Sequence, residues 1–222
     1  IDNGFTTLTA AVIQEELIPV LSNPFANYAV FAPTDGAFSS LATSLNTTVT
    51  GLLSLPNLDD VLKYHVLGTE VLAAGVTNGA IVNPLSTTNS LKLTKTSTNA
   101  VFVNHAQVTT ADVQAANGVV HVINRVVLPV NTVIDVAIDN GFTTLTTAVI
   151  QEELVPVLSD PFTEFTVFAP TNLAFNNLAT ALGTDLAGIL NLPNLSDVLT
   201  YHAVLGNVNA ADLVNGPVAT VN

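Results

Sequence analysis

The apolar positions near the start of the chain recur at helical spacing. Phe5, Leu8, Val12 and Leu17, with Ala11 and Ile13 between them, fall on one face of TTLTAAVIQEEL. That periodicity predicts an amphipathic helix, which Pro19 should bend or end because proline lacks the N–H the next turn requires. YAVFA, residues 28–32, is a short unbroken run of strand formers. Ala32 precedes Pro33 and is pushed to extended geometry, which closes the strand. Thr34 then predicts a helix N-cap accepting from the amide of Gly36 or Ala37. Asp35 falls in the first turn, where the helix dipole favours a carboxylate, and Pro33 and Phe38 take the two positions of a hydrophobic staple.

SSLATSL, TVTGLLSL and PNLDDVLKYHVL read as short helices, the last with Asn57 at its cap and Asp59 and Asp60 in its first turn. Residues 80–127 change character. They are rich in Thr and Val, alternate in LKLTK and AVFVN, and are broken by Asn, Ser and Gly, which predicts strands joined by turns. Helices first and strands afterwards argue for an α+β domain.

The pattern then repeats. IDNGFTTLTAAVIQEELIPVLS at residues 1–22 returns as IDNGFTTLTTAVIQEELVPVLS at 138–159, an offset of 137 that holds without a gap through Tyr64-His65 and Tyr201-His202. A period this long suits a tandem of globular domains rather than a solenoid. The expected boundaries are 1–130, lacking its first few residues, and 131–222, without counterparts of residues 85–129, as in an excerpt from a longer array. Two strand-to-helix corners, VFAPTDGAF and VFAPTNLAF, therefore stand at matching places. Pro170, Thr171, Asn172 and Phe175 repeat the roles of Pro33, Thr34, Asp35 and Phe38.

Composition narrows the partners. Four Lys and Arg stand against seventeen Asp and Glu, for a formal charge of -13, and no basic residue follows Arg125. Nucleic acid and anionic membranes, which need clustered positive charge, are excluded as partners. With no cysteine there is no disulfide, thiolate metal site or cysteine nucleophile. No apolar run approaches the roughly 18 residues of a membrane span.

Motif chemistry is sparse. No nucleophile elbow, phosphate loop, dinucleotide fingerprint or zinc-protease pattern occurs, so no catalytic residue and no cofactor is expected. Glu15-Glu16, Asp59-Asp60 and Glu152-Glu153 are helix neighbours about 100° apart, which suits solvated faces better than a shared acid/base site. His65, His105, His121 and His202 are too scattered for a metal centre. Tyr64-His65 and Tyr201-His202 end a helix. Either the tyrosine packs by its ring while the histidine bonds near the helix C-terminus, where a positive imidazole is favoured, or the pair is a recognition element at a surface edge.

These residues resemble the fasciclin-like domain family. VFAPTDGAF and VFAPTNLAF are similar to its first signature box, with Phe31, Pro33, Thr34 and Phe38 matched by Phe168, Pro170, Thr171 and Phe175. NGVVHVINRVVLP, with Gly118 and His121, resembles the second box, with Asn124 where many relatives have Asp, and LKYHVL and LTYHAVL resemble the Tyr-His element between the boxes. The resemblance implies wedge-shaped α+β domains, with helices on a mainly antiparallel sheet, the second copy incomplete. It also implies binding roles for Tyr64, His65, Tyr201 and His202, and for Asp112-Val113, which stand where animal relatives carry an Asp-Ile pair.

The function it implies is a non-catalytic, secreted or cell-surface adhesion or matrix protein, whose repeated domains contact a protein or polysaccharide surface or another copy. Two other classes stay open: a subunit of an extracellular filament or sheath, and a small-ligand or lipid carrier with a pocket between helices and sheet.

Overall fold

The first amphipathic segment folds as α1, Thr6–Gln14, and stops well short of Pro19. Its stop is Glu16, at a left-handed φ of 54°. The Glu16 N–H donates to the Ile13 carbonyl at 3.2 Å and the Leu17 N–H to that of Val12 at 3.0 Å, which closes the helix as a Schellman turn. Pro19 lies instead in the first turn of α2, Ile18–Leu21, where a missing N–H is harmless. Pro19 therefore opens a helix rather than ending one. The structure is a computed structural model, and it describes residues 4–210, 216 and 218–221.

β1, Tyr28–Pro33, leads into α3, Asp35–Ser44, and Thr34 caps α3 by accepting from the Ala37 N–H at 3.2 Å. α4, Val49–Leu53, and α5, Leu58–Tyr64, follow. Asn57 holds the cap position of α5, but its side chain makes no cap bond. The chain turns straight from Tyr64 into β2, Val66–Leu67. A short 3-10 turn at Ala73–Gly75 precedes β3, Ala80–Val82; β4, Leu91–Lys95; β5, Val101–Val103; β6, Ala106–Ala115; and β7, Gly118–Ile123.

These seven strands form one sheet in the order β2-β1-β7-β6-β5-β4-β3. Every neighbouring pair is antiparallel except β1 and β7, which run parallel from Tyr28 opposite Gly118 to Pro33 opposite Ile123. Phe31, Tyr64, Leu91, Leu93, Val103 and Ile123 belong to a buried cluster on the sheet. Phe38, Leu41, Leu52, Val61 and Val126 form a second one among the helices. Phe38 is 2 % exposed, and burying such a ring stabilises the domain by about 2–3 kcal/mol.

Residues 1–130 and 131–222 are separate compact units. The second unit opens with α6, Val133–Asp139, which apolar periodicity alone did not reveal. Its start is fixed by Asp135 Oδ2, which accepts from the Thr132 N–H at 2.9 Å and the Thr132 hydroxyl at 2.6 Å. Then come α7, Thr143–Gln151; α8, Val155–Leu158; β8, Phe165–Val167; α9, Asn172–Ala181; α10, Leu186–Leu190; α11, Leu195–Tyr201; and β9, Ala203–Leu205. β8 pairs antiparallel with β9 as a two-stranded sheet. The core gathers Ile134, Leu145, Val149, Phe175, Ile189 and Leu195, with Phe175 at 6 % exposure.

Small devices recur in both units. Glu153, φ 57°, ends α7 as Glu16 ends α1. The Gln14 side-chain amide donates to the Leu53 carbonyl, and Gln151 donates to that of Leu190. Residue 35 closes the start of α1, and residue 172 that of α7. Asp35 accepts from the Thr7 N–H at 2.8 Å and from the Thr6 N–H and hydroxyl at 3.2 and 2.8 Å, and Asn172 Oδ1 accepts from the Thr144 N–H at 3.0 Å. The cap residues Phe5 and Phe142 have no side-chain acceptor of their own.

Candidate functional site

Tyr64 and His65 lie inside the first domain rather than at a surface edge, with 0 % and 3 % exposure. The helix end delivers the phenol toward the strands, where it donates to the Ser90 carbonyl at 2.7 Å and accepts from the Asn104 amide at 3.1 Å. Burial pushes its pKa up to about 12. His65 faces the other way. Its Nδ1–H donates to the Val61 carbonyl at 2.7 Å, because Nε2 is taken as an acceptor by the Val127 N–H at 3.1 Å. One imidazole thus ties the end of α5 to the chain just beyond β7. Burial, reinforced by the charge of His105, brings its pKa down to about 4 against the lift from the Val61 bond. The positive imidazole suggested by the helix C-terminus is not formed, since desolvation outweighs the dipole.

Asp112 and Val113 occupy an irregular stretch of β6, where the register against β7 shifts between Thr110 and Val113. Asp112 takes φ 58°, the left-handed geometry of a bulge residue. Its Oδ1 accepts from the Ala73 N–H at 2.9 Å, and its own N–H donates to His121 Nδ1 at 3.3 Å. His121 therefore carries its proton on Nε2, which donates to the Val71 carbonyl at 2.7 Å. The ring also stacks on Phe31, with centroids 5.5 Å apart. Asp112, His121 and Phe31 are thus assembled around one bulge. Val113, alternating out of that frame, is 44 % exposed.

Gly118 begins β7 at φ 144°, and a Cβ there would stand 2.0 Å from the Tyr28 carbonyl oxygen, so only glycine admits the parallel approach of the two strands. Asn124 accepts from the Gln107 N–H at 2.9 Å, an acceptor role that an Asp would fill equally. Pro33, Thr34 and Phe38 make the corner that supports β1.

In the second domain Tyr201 is 67 % exposed and His202 half-buried. His202 keeps the inner bond, Nδ1 to the Val198 carbonyl at 2.7 Å. Phe168 is 46 % exposed where Phe31 is 3 %. Pro170 is half-buried, Thr171 caps α9 through the Ala174 N–H at 3.2 Å, and Phe175 is buried. An apolar cavity of about 50 Å³ lies among Leu145, Val149, Val167, Leu199 and Ala203, well below the roughly 300 Å³ of a small-molecule pocket. Among the described residues no cluster of His, Asp and Glu is placed to hold a metal ion, and no helix is long and apolar enough to cross a membrane.

The Asp112-Val113 pair and the Tyr-His pair were marked by the family resemblance and the Pro-Thr corner by local pattern, whereas the bulge at Asp112 carried no sequence signal. The Ala73 and Val71 partners were not legible either, for loop backbone atoms carry no side-chain signal.

Comparison with known proteins bears on the same elements. The family model described as "Fasciclin domain" matches residues 3–129 and 140–222. Protein sll1483 of Synechocystis sp. is 41% identical over 130 residues, covering 56% of this chain and 67% of that protein. Transforming growth factor-beta-induced protein ig-h3 of Sus scrofa is 41% identical over 129 residues, 58% of this chain but 18% of its own length. The chain thus spans less than a fifth of that animal relative. In fold, the chain is similar to a FAS1 domain pair from the insect cell adhesion molecule Fasciclin I, with a TM-score of 0.50, 18% identity, and coverage of 96% of this chain and 78% of that one.

Proposed function

The chain belongs to the fasciclin domain family, and from that premise we propose that it is a non-catalytic, secreted or cell-surface adhesion protein whose modules serve as contact and spacer units. The bulge at Asp112 carries the reading. Two side-chain contacts, to Ala73 and His121, fix a left-handed residue in a long strand, and the next residue, Val113, is an apolar group offered to solvent. A rigid apolar point on a polar rim loses little conformational freedom on binding, which is what a contact surface needs. Tyr64, His65 and His121 act one layer beneath as braces, so their contribution to binding is to hold β6 and β7 in place. Tyr201 adds an exposed ring on the second module.

The partner is a protein or polysaccharide surface, including a like domain. Acidic composition sets its character: a neutral or basic surface is accepted and an anionic one repelled. The test is adhesion of cells and a glycan panel to immobilised protein. Val113→Asp is expected to abolish retention while leaving the thermal transition unchanged. Retention unaltered by Val113→Asp and by Tyr201→Ala together would remove this reading.

A further inference from the structure

The chain between β2 and β3 crosses the sheet, and side chains of three strands fasten it there. His121 on β7 donates through Nε2–H to the Val71 carbonyl at 2.7 Å, Asp112 on β6 accepts from the Ala73 N–H at 2.9 Å, and Lys95 on β4 donates to the Ala73 and Ala74 carbonyls at 3.4 Å. β7, β6 and β4 follow one another in the sheet with β5 between the last two, so residues 71–74 form a strap laid across the strands. Val71 and Ala73 pack on the buried cluster that contains Phe31, and Val76 belongs to that cluster. All three fasteners are ionisable groups.

His121 stands at the centre of the arrangement, buried on the sheet. From β1 its ring meets Phe31, which is uncharged. From β6 it meets Asp112, whose N–H donates to Nδ1 at 3.3 Å and whose Oδ1 lies 3.8 Å from the same nitrogen. The strap brings Glu70, next to Val71 in the chain, and β4 brings Lys95 to the Ala73 and Ala74 carbonyls. Nδ1 is an acceptor here, so the ring is neutral. Asp112 Oδ1 is thus both the acceptor for Ala73 and a negative charge beside the one ring nitrogen that can take a proton. Protonation would turn Nδ1 into a donor, which breaks its bond from the Asp112 N–H and sets the imidazolium against Ala73 for the same oxygen. The imidazolium wins that contest, because a hydrogen bond between two charged groups is about twice as strong as one between neutral groups.

We propose that the strap is an acid-operated clasp: a proton added at His121 Nδ1 draws Asp112 Oδ1 off the Ala73 N–H and loosens residues 72–75 from the sheet, with Val71 as the pivot. Val71 stays held because Nε2–H donates in either charge state. The Lys95 bonds resist little, being long at 3.4 Å and partly exposed. Opening replaces the two bonds that fix the Asp112 bulge by one ion pair and bares the part of the buried cluster beneath Ala73. The clasp is a property of the fold and does not depend on what Val113 touches.

The experiment follows imidazole nitrogen NMR and amide exchange of the 222-residue chain from pH 7.5 to 5, the range in which imidazoles ordinarily change charge. At pH 7.5 the His121 ring is expected as the Nε2–H tautomer. As Nδ1 takes its proton, the Ala73 amide shift should trace the same curve. Protection of Ala73, corrected for the intrinsic rate at each pH, should fall about tenfold, the worth of one hydrogen bond to a charged group. Thr7 is the internal control: its N–H also donates to a carboxylate, that of Asp35, which is held below the usual carboxylate range, so its protection should stay level. Asp112→Asn keeps an oxygen for Ala73 but no charge for the imidazolium, and should flatten the Ala73 response. Level Ala73 protection while His121 titrates, a parallel fall at Thr7, or an undiminished fall in Asp112→Asn would overturn the proposal, as would a ring that carries Nδ1–H at pH 7.5 or never takes the second proton. Should the variant not fold, the wild-type curves decide alone.

Discussion

Asp35 Oδ1 accepts the backbone N–H of Thr7 at 2.8 Å, so the residue that starts α3 also finishes the N-terminus of α1. Asn172 does the same for Thr144 at 3.0 Å. An acid and an amide alternate at this place in the repeat because the bond needs an oxygen acceptor and does not need a charge.

Asp35→Ala removes the acceptor for two backbone amides and is expected to destabilise the first domain by about 1–2 kcal/mol, the range of a lost helix cap. Asp35→Asn should keep most of that. Urea unfolding, with amide exchange at Thr6 and Thr7 to assign the loss, separates the two variants.

Acid stability should fall in two stages. The unfolded His65 titrates near its ordinary 6.5 and the folded one at about 4, so the unfolded state binds the extra proton between those values. Its contribution, roughly 3 kcal/mol, is complete above pH 6.5 and is lost as pH drops toward 4. The bonds from Thr7 and Thr6 hold Asp35 below the usual carboxylate range, so its share is present above about pH 4 and disappears below it. Thermal melting of the wild type and of His65→Gln from pH 7.5 to 3.5 checks the first stage. The variant, less stable throughout, should show a flatter dependence between pH 6.5 and 4.

Tyr64 carries the opposite sign. Its folded phenol ionises at about 12, above the ordinary 10, so the folded state retains the proton longer and stability falls as pH rises through that interval. A difference-absorbance titration should show one phenol that ionises only with unfolding, and Tyr64→Phe should delete that step.

Gly118→Ala is expected to unfold the first domain or weaken it by more than about 4 kcal/mol, because the new methyl would lie against the Tyr28 backbone and the left-handed φ is closed to it. Circular dichroism and the urea midpoint report the outcome, and a loss under about 1 kcal/mol would contradict the close approach.

Complete trypsin digestion of unfolded chain should leave residues 126–222 as one fragment, since no Lys or Arg follows Arg125. Mass spectrometry of the digest checks this directly.

Local signals were legible where the chain uses local physics. The Thr34 cap, the Ala32-Pro33 strand end and the alternation in LKLTK each act over a few residues, and each lies where the pattern placed it. What the sequence hid is long in range or runs against propensity. Nothing near YAVFAP indicates that GVVHVI will lie parallel beside it, since the pairing partners are about ninety positions apart. Glu16 in the left-handed region defies the preference for glycine there, so the sequence pattern marks Pro19 as the stop instead. The site divided the same way. Tyr64 and His65 were recognisable as a pair, but their burial depends on Ser90, Asn104 and Val127, which only the closed sheet brings near.

The parallel pairing of β1 with β7 has a kinetic side. One edge of β1 can pair with β2 early, but the other must wait for a partner about ninety residues downstream, and such late closure makes folding slow. On the ribosome β7 emerges before β8 exists, so it can meet β1 alone. Refolding from denaturant removes that order and lets the twin strand compete for the same partner, so vectorial synthesis itself acts as the proofreader of this tandem chain.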